Sequence, residues 1–422
     1  MTAAPAIKGW CPTLLSPMES GDGWLARVKP SAGVLSADAA RIIGDAARRH
    51  GNCHIDLTSR ANLQIRGLSP RSAQTFAEIV IGAGLANADP SAETVRNVMA
   101  SPLGPDDASA AFDSHAVARD IETMLAQERA LWALPSKFGI LVDAGGALPL
   151  ADITADIIVR ADGSALAISL DGGKQAAPCS PPAAAEAVKR LAHAFLRLAE
   201  KLSDAPRRMR ALVIAVGEEA IFAEAGITAG LLQPGIRSAA RSPIGLISFG
   251  DQERGAFGVT LPFGRIEADA LRALAELSEH CGNGNLCTTP WRALLMTGVT
   301  ASSSEALAKE VRSLGLITDS ADPRLNIFAC VGAPSCMSAS VDARGDASRL
   351  AAAVGATGNE TLHVSGCVKS CAHRGAASLT LVGRDGFYDL IRDGTATDRP
   401  SLIGLTIDQV EALLQSARRG HH

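Results

Sequence analysis

Residues 23–67 read GWLARVKPSAGVLSADAARIIGDAARRHGNCHIDLTSRANLQIRG, and residues 255–298 read GAFGVTLPFGRIEADALRALAELSEHCGNGNLCTTPWRALLMTG. Each stretch opens with a short run of β-type residues. Each then carries apolar residues at helical spacing: Ala39, Ile42, Ile43 and Ala46 in the first, Leu271, Leu274 and Leu277 in the second. Ser36 suits the N-cap of the first helix, and Gly51 and Gly282 suit the two helix ends. A strand is expected after each helix, over residues 62–67 with Leu63 and Ile65 on one face, and over residues 292–298. The same strand–helix–strand unit is thus written twice.

The correspondence continues outward at a similar spacing. Arg96-Asn97-Val98-Met99-Ala100-Ser101 parallels Leu325-Asn326-Ile327-Phe328-Ala329-Cys330. Residues 157–173 parallel residues 379–394, and both read as hairpins turning at an Asp-Gly pair, Asp162-Gly163 and Asp385-Gly386. A helix follows each hairpin, marked by Val188, Leu191, Phe195 and Leu198 and by Ile407, Val410, Leu413 and Leu414. Four elements repeated in the same order predict a duplicated α+β unit, an arrangement that tends to place ligands between its halves. The Pro- and Arg-containing stretch over residues 232–243 is the expected crossover.

Composition narrows the class. The chain has 422 residues, 47% of them hydrophobic and 20% charged, which is globular and long enough for several packed units. Its net charge of −4 excludes a strongly basic nucleic-acid footprint but leaves room for a local cationic pocket. No apolar run approaches the roughly 18 residues of a membrane span. The start lacks a basic segment followed by an apolar one, so a cytoplasmic location is expected. Nine cysteines is an odd number, which points to metal or thiol chemistry rather than a disulfide framework.

Four cysteines break the symmetry of the repeat. Cys330 and Cys336 form a C-x5-C pair and Cys367 and Cys371 a C-x3-C pair, all in the second half; the counterpart of Cys330 in the first half is Ser101. Four thiolates are the set that a [4Fe–4S] cube requires, and Gly332, Pro334 and Gly366 let backbone wrap a bulky group. Structural zinc, disulfides and unrelated buried thiols are the competing readings. Cys281 and Cys287 fall at a helix end and a strand start and read as core.

These residues together resemble the sulfite/nitrite reductase superfamily, over about residues 10–400. Thr58-Ser59-Arg60-Ala61-Asn62-Leu63-Gln64 resembles its T-x-R-x-N-x-Q strand, Arg96-Asn97-Val98 its R-N-V segment, and Leu134-Pro135-Ser136-Lys137-Phe138 its L-P-x-K-F segment. The resemblance implies an internally duplicated fold with ferredoxin-like "parachute" half-repeats at residues 10–75 and 245–305, and two larger α+β lobes at residues 76–230 and 306–418. It implies that Cys330, Cys336, Cys367 and Cys371 ligate a [4Fe–4S] cluster in the second lobe, with Cys371 nearest a tetrapyrrole. Such a macrocycle carries many carboxylates around an apolar disc and needs fixed cations at its rim. Arg27, Lys29, Arg60, Arg66, Arg96 and Lys137, with Asn62 and Gln64, are the residues expected to bind it; Trp291-Arg292 holds the related position in the second copy.

Two departures select a branch. Gly139 stands where the reductases carry the second lysine of their oxyanion site, and the second cysteine pair reads Cys367-Val368-Lys369-Ser370-Cys371 without the usual Pro-Asn. Residues 365–394, SGCVKSCAHRGAASLTLVGRDGFYDLIRDG, most resemble the precorrin-3B synthases of aerobic cobalamin formation. That resemblance implies an oxidoreductase of the monooxygenase type. Precorrin-3A would be hydroxylated at C-20 with γ-lactone formation, with dioxygen as co-substrate, an external electron donor (a reductase or NADH-linked protein), and a mononuclear non-haem iron besides the cluster. The ligands of that iron and the catalytic residues are not legible; His54, His363 and His373 lie near the relevant segments. The alternatives are a sirohaem-dependent nitrite or sulfite reductase and a non-catalytic iron–sulfur or tetrapyrrole carrier. No nucleic-acid or membrane partner is expected.

Overall fold

The computed structural model describes residues 11–163, 165–231, 242–249, 253–354 and 360–419. Residues 232–241 of the expected crossover lie outside this set. The two quoted stretches form helices Ala37–His50 and Ala268–Cys281 and the strands around them. Ser36 caps the first helix by accepting the Ala39 N–H at 3.1 Å, and Gly51 and Gly282 end the two helices. The second copy has no such cap; Glu267 sits at the equivalent place and its side chain makes no capping bond. The strands after the helices run over Leu63–Leu68 and Ala293–Thr300.

Two five-stranded antiparallel sheets back these helices. One is ordered Met18–Ser20, Gly23–Val28, Leu63–Leu68, His54–Leu57 and Arg265–Glu267; the other is ordered Gly245–Ile247, Arg254–Thr260, Ala293–Thr300, Asn285–Thr288 and Val34–Ser36. Each sheet thus ends in a strand from the opposite half, with Val34 paired to Cys287 and Arg265 to Asp56. The backbone records the duplication directly. Left-handed residues recur at an offset of 231 (263 − 32): Ala32 and Phe263, Gly33 and Gly264, Cys53 and Gly284, Ala61 and Arg292, Gly67 and Gly298. One apolar core joins both sheets and both helices, including Ile43, Ala47, Leu63, Ile65, Leu271, Leu274 and Met296.

Two further sheets share one plan. In the first, Val98–Ala100, Ile140–Asp143 and Ile157–Asp162 run parallel and an antiparallel hairpin continues them. In the second, Ile327–Ala329, Leu362–Ser365 and Ala377–Arg384 do the same before the hairpin to Phe387–Gly394. Asp385 and Gly386 both take positive φ, as a two-residue hairpin turn requires. Helices Ala184–Glu200 and Ile407–Arg419 follow the two hairpins. The architecture is α+β and duplicated. No helix among the described residues is long and apolar enough to cross a membrane.

Candidate functional site

The site begins with a loop that the sequence spacing explains. Thr58 Oγ1 accepts from the N–H groups of Arg60 at 3.3 Å and Asn62 at 3.2 Å, and the Thr58 N–H donates to the Asn62 carbonyl at 2.9 Å. Ala61 turns through φ 56° between them. The closed loop holds Arg60 at its tip. The second copy repeats the loop around Thr289 and Ala293, where Arg292 takes the Ala61 position with φ 60° and Trp291 the position of Arg60.

Arg60 Nη2 donates to the Lys137 carbonyl at 3.5 Å, and the Lys137 side chain is exposed. Arg27 Nη2 donates to Gln64 Oε1 at 3.5 Å, while its buried Nε has no hydrogen-bond partner. Burial lowers the pKa of both guanidinium groups; Cys11 opposes this for each, Arg60 reinforces it for Arg27, and Arg208 and Arg374 reinforce it for Arg60. Arg374 follows the second cysteine pair, so Arg60 of the first half faces the cysteine-bearing segment of the second. Arg292 Nη2 donates to the Ala372 carbonyl at 3.1 Å, tying the second-copy loop to the same segment. Asn62 is half-buried, with its backbone closing the Thr58 loop.

Three of the expected rim cations are turned elsewhere. Arg66 is 2% exposed and donates through Nε and Nη2 to Asp22 at 2.9 and 2.8 Å, with Asp56 3.7 Å from Nη1. Arg96 donates through Nε and Nη2 to Glu93, itself fully buried, at 3.0 and 2.9 Å, with Glu122 3.9 Å away. Lys29 Nζ donates to the carbonyls of Glu93 at 2.7 Å and Thr94 at 3.2 Å. Burial pulls the Lys29 ammonium down to about 7; Glu93 opposes this, and Arg96, Arg27 and Arg60 reinforce it. In this structure these three bind the protein to itself. Arg208 stands near Arg60 but donates through Nε to the fully buried Asp156 at 3.0 Å, so of the two further arginines Arg374 is the one added to the cationic set. Only Arg374, three residues after Cys371, carried a motif by which the sequence could have found it.

Cys330, Cys336, Cys367 and Cys371 come together. Burial raises the Cys371 thiol, and the neighbouring Cys330, Cys367 and Cys336 raise it further. Burial likewise raises Cys330, whose Sγ accepts the Gly366 N–H at 3.0 Å. None of the nine cysteines is in a disulfide. Cys287 is buried and its thiol is pushed up to about 12, and Cys281 packs against the core, as their positions implied. In the first half Ser101 stands at the place of Cys330, with its hydroxyl donating to Asp143 at 3.3 Å and accepting from Ala144 at 3.0 Å.

His363 is fully buried on strand Leu362–Ser365 and neither ring nitrogen has a hydrogen-bond partner. Burial, then His373 and Arg292, lower it to about 4, so it is neutral near pH 7. His373 stacks on Phe328 with centroids 4.2 Å apart and meets His363 edge-on at 5.8 Å. His54 lies away from this pair, 3.1 Å from Arg265 and 3.3 Å from Glu267. Among the described residues no three His, Cys, Asp or Glu side chains converge at mononuclear-metal distance. Four thiols in one segment are the donor type that an iron–sulfur cube takes, and the described residues offer no matching set for a single iron ion.

A duplicated sheet–helix unit facing a four-cysteine segment defines a nitrite/sulfite-reductase-like protein. The profile of the nitrite/sulfite reductase ferredoxin-like half domain matches residues 16–81 and again residues 250–314. The Mycobacterium tuberculosis NirA protein superposes on 94% of this chain and 80% of its own with a TM-score of 0.72, at 19% identity, which speaks for the fold. A ferredoxin–nitrite reductase of Synechococcus elongatus is 24% identical over 389 residues, 85% of this chain and 76% of that protein. A precorrin-3B synthase of Sinorhizobium sp is 31% identical over 412 residues, 95% of this chain and 86% of that protein. The chain belongs to the precorrin-3B synthase family of the nitrite/sulfite reductase superfamily.

Proposed function

We propose that this protein hydroxylates precorrin-3A at C-20 and closes the γ-lactone from the ring A acetate, with dioxygen as oxidant. One oxygen atom enters the product. The other leaves as water, which takes two electrons from an external donor and two protons. The residue that carries this reading is Gly139. A Cβ there would have only the Asn97 and Lys137 carbonyls near it, at 3.8 and 3.9 Å, so the backbone does not demand glycine by crowding. The absence of a lysine is a difference of chemistry. Binding a small dianion depends on converging charge, and this site offers one lysine, Lys137, where a reductase offers two. The near-full-length likeness to a precorrin-3B synthase supports the same reading.

Cys330, Cys336, Cys367 and Cys371 would hold the [4Fe–4S] cluster, which supplies single electrons when bound. Arg27, Arg60 and Lys137, with Arg374, would pair with the carboxylates of the macrocycle and fix its face toward the cysteine segment. His363 and His373 present apolar ring faces and one neutral, unpaired imidazole beside that segment. No mononuclear iron site is assigned, because the described residues supply no donor set for one. We place the boundaries of the four units at residues 10–75, 76–230, 245–305 and 306–418, with one strand exchanged in each direction.

Metal, sulfide and pigment analysis of anaerobically purified protein, followed by incubation with precorrin-3A under oxygen, tests the reading. Iron and sulfide without haem, and oxygen-dependent conversion, are expected. Replacing Cys367 by Ser should abolish the cluster's visible absorbance and turnover together. A sirohaem Soret band with nitrite or sulfite reduction would overturn the proposal in favour of a reductase. Precorrin binding without conversion would overturn it in favour of a carrier.

A further inference from the structure

The loop that carries Cys336 is held by the opposite half of the molecule. The Ser335 carbonyl accepts from Arg66 Nη2 at 2.8 Å, Ser20 Oγ at 2.7 Å and the Gly21 N–H at 3.2 Å. Three donors on one carbonyl, 269 to 315 residues away in sequence, are more than its two lone pairs ordinarily take. Arg66 is itself fixed. Asp22 grips its Nε and Nη2, Asn52 Nδ2 donates to Asp22 at 3.1 Å, and Asp56 stands 3.7 Å from Nη1. The hairpin tip at Gly21 lies so close that a Cβ there would be 2.0 Å from the Pro334 carbonyl.

The peptide whose oxygen is held this way is the one whose nitrogen belongs to Cys336. That N–H donates to the Gly332 carbonyl at 2.8 Å, and the Cys336 carbonyl accepts from Ala339 at 3.0 Å. Both faces of the peptide are therefore fixed, one from within the loop and one from the first half. The direction of the Cys336 side chain follows from that orientation. The acidic partners on both sides of Arg66 neutralise its charge locally, so its effect is one of position.

We propose that Arg66, with Ser20 and the Gly21 N–H, is a positioning group for the cluster ligand Cys336. Docking of the first-half hairpin completes the cluster site. This rests on the cluster reading given above. It also accounts for a buried arginine beside the family's T-x-R-x-N-x-Q strand that touches no candidate ligand group.

The test uses the full-length protein, purified anaerobically, as wild type, Arg66→Met, Arg66→Lys and Ser20→Ala. Iron and sulfide content, the rate of cluster loss in air, the electron paramagnetic resonance of the reduced cluster and hydrogen exchange over residues 333–338 are read. Arg66→Met should lose its cluster about tenfold faster, within the range seen when outer-sphere partners of metal ligands are removed. Its resonance should shift, and exchange should rise in residues 333–338 with or without the cluster. Arg66→Lys, which reaches one carbonyl but loses the fork, should recover part of the loss. Ser20→Ala, which removes one donor and leaves the buried ion pairs intact, should show the same changes at smaller size. If Arg66→Met fails to fold, Ser20→Ala decides: a local change in residues 333–338 supports the assignment and none overturns it. Loaded wild type beside an Arg66→Met variant with unaltered retention, resonance and loop exchange overturns the positioning role alone. A wild type that holds no iron and sulfide overturns the cluster reading, and the inference with it.

Discussion

Arg60 and Arg96 look alike in the sequence and differ in what surrounds them. Arg60 sits at the tip of a self-closed loop, faces Arg208 and Arg374, and makes one long bond to the Lys137 carbonyl. Asp156 stands near it too but is taken by Arg208, so Arg60 keeps pairing capacity that a polycarboxylate would use. Arg96 is saturated by Glu93, a carboxylate with no exposure to solvent. Arg60→Met is therefore expected to weaken binding of an octacarboxylate porphyrin by about tenfold, the worth of one charge-assisted pair, with little change in the thermal midpoint. Arg96→Ala is expected to do the opposite. It leaves Glu93 buried without its partner and should cost about 3–5 kcal/mol in chemical denaturation. If Arg96→Ala were as stable as wild type and bound porphyrin poorly, the assignment of the two residues would have to be exchanged. The two roles were not separable in the sequence. A strand-end arginine reads the same whether its partner is a neighbouring glutamate or a ligand, and Arg66 finds Asp22 only because two strands lie side by side.

Among the elements, strand His54–Leu57 has an unusual burden. Its Asp56 receives Arg265 from the exchanged strand at 2.8 Å, Arg344 from helix Ala343–Val354 at 2.9 Å, and Arg66 from the next strand at 3.7 Å. Burial opposes ionisation of this carboxyl, yet Arg344, Arg265 and Arg66 overcome it and hold it down at about 2. Its folded value thus lies below the ordinary 3.8. The stability it contributes is complete above about pH 4 and is lost as pH falls toward 2. That contribution is about 2 kcal/mol. Asp56→Asn should flatten the acid limb of the stability–pH curve and lower stability at pH 7 by at least that amount, because three buried guanidinium groups then repel. An unchanged acid limb would show that another carboxylate governs it. Helix spacing, the Ser36 cap and the Asp385-Gly386 turn were all legible, because each is decided by neighbours in the chain. The Thr58 loop was legible as a motif and explained by its bonds. The exchange of Val34–Ser36 was not, since three residues of strand carry the same alternation whichever sheet receives them.

At the scale of the molecule, the exchange decides how the halves depend on each other. Neither half completes its sheet alone, and helices Ala37–His50 and Ala268–Cys281 share one core. The Cys336 loop is held from the first half as well, and Arg60 faces Arg374 across the same seam. An architecture of two linked but independent domains would unfold in two steps. This one should unfold in a single cooperative transition, since loss of either half strips an edge strand and an apolar helix face from the other. Two fragments divided within residues 232–241 and expressed apart should be insoluble or unfolded by circular dichroism, and should recover structure only when expressed together. Anything that binds across the seam will raise the one transition, by about 2.7 kcal/mol at a hundred times its dissociation constant, and will not split it. Two resolved transitions, or one fragment folding alone with its five-stranded sheet intact, would show that the exchanged strands are trim on self-sufficient domains.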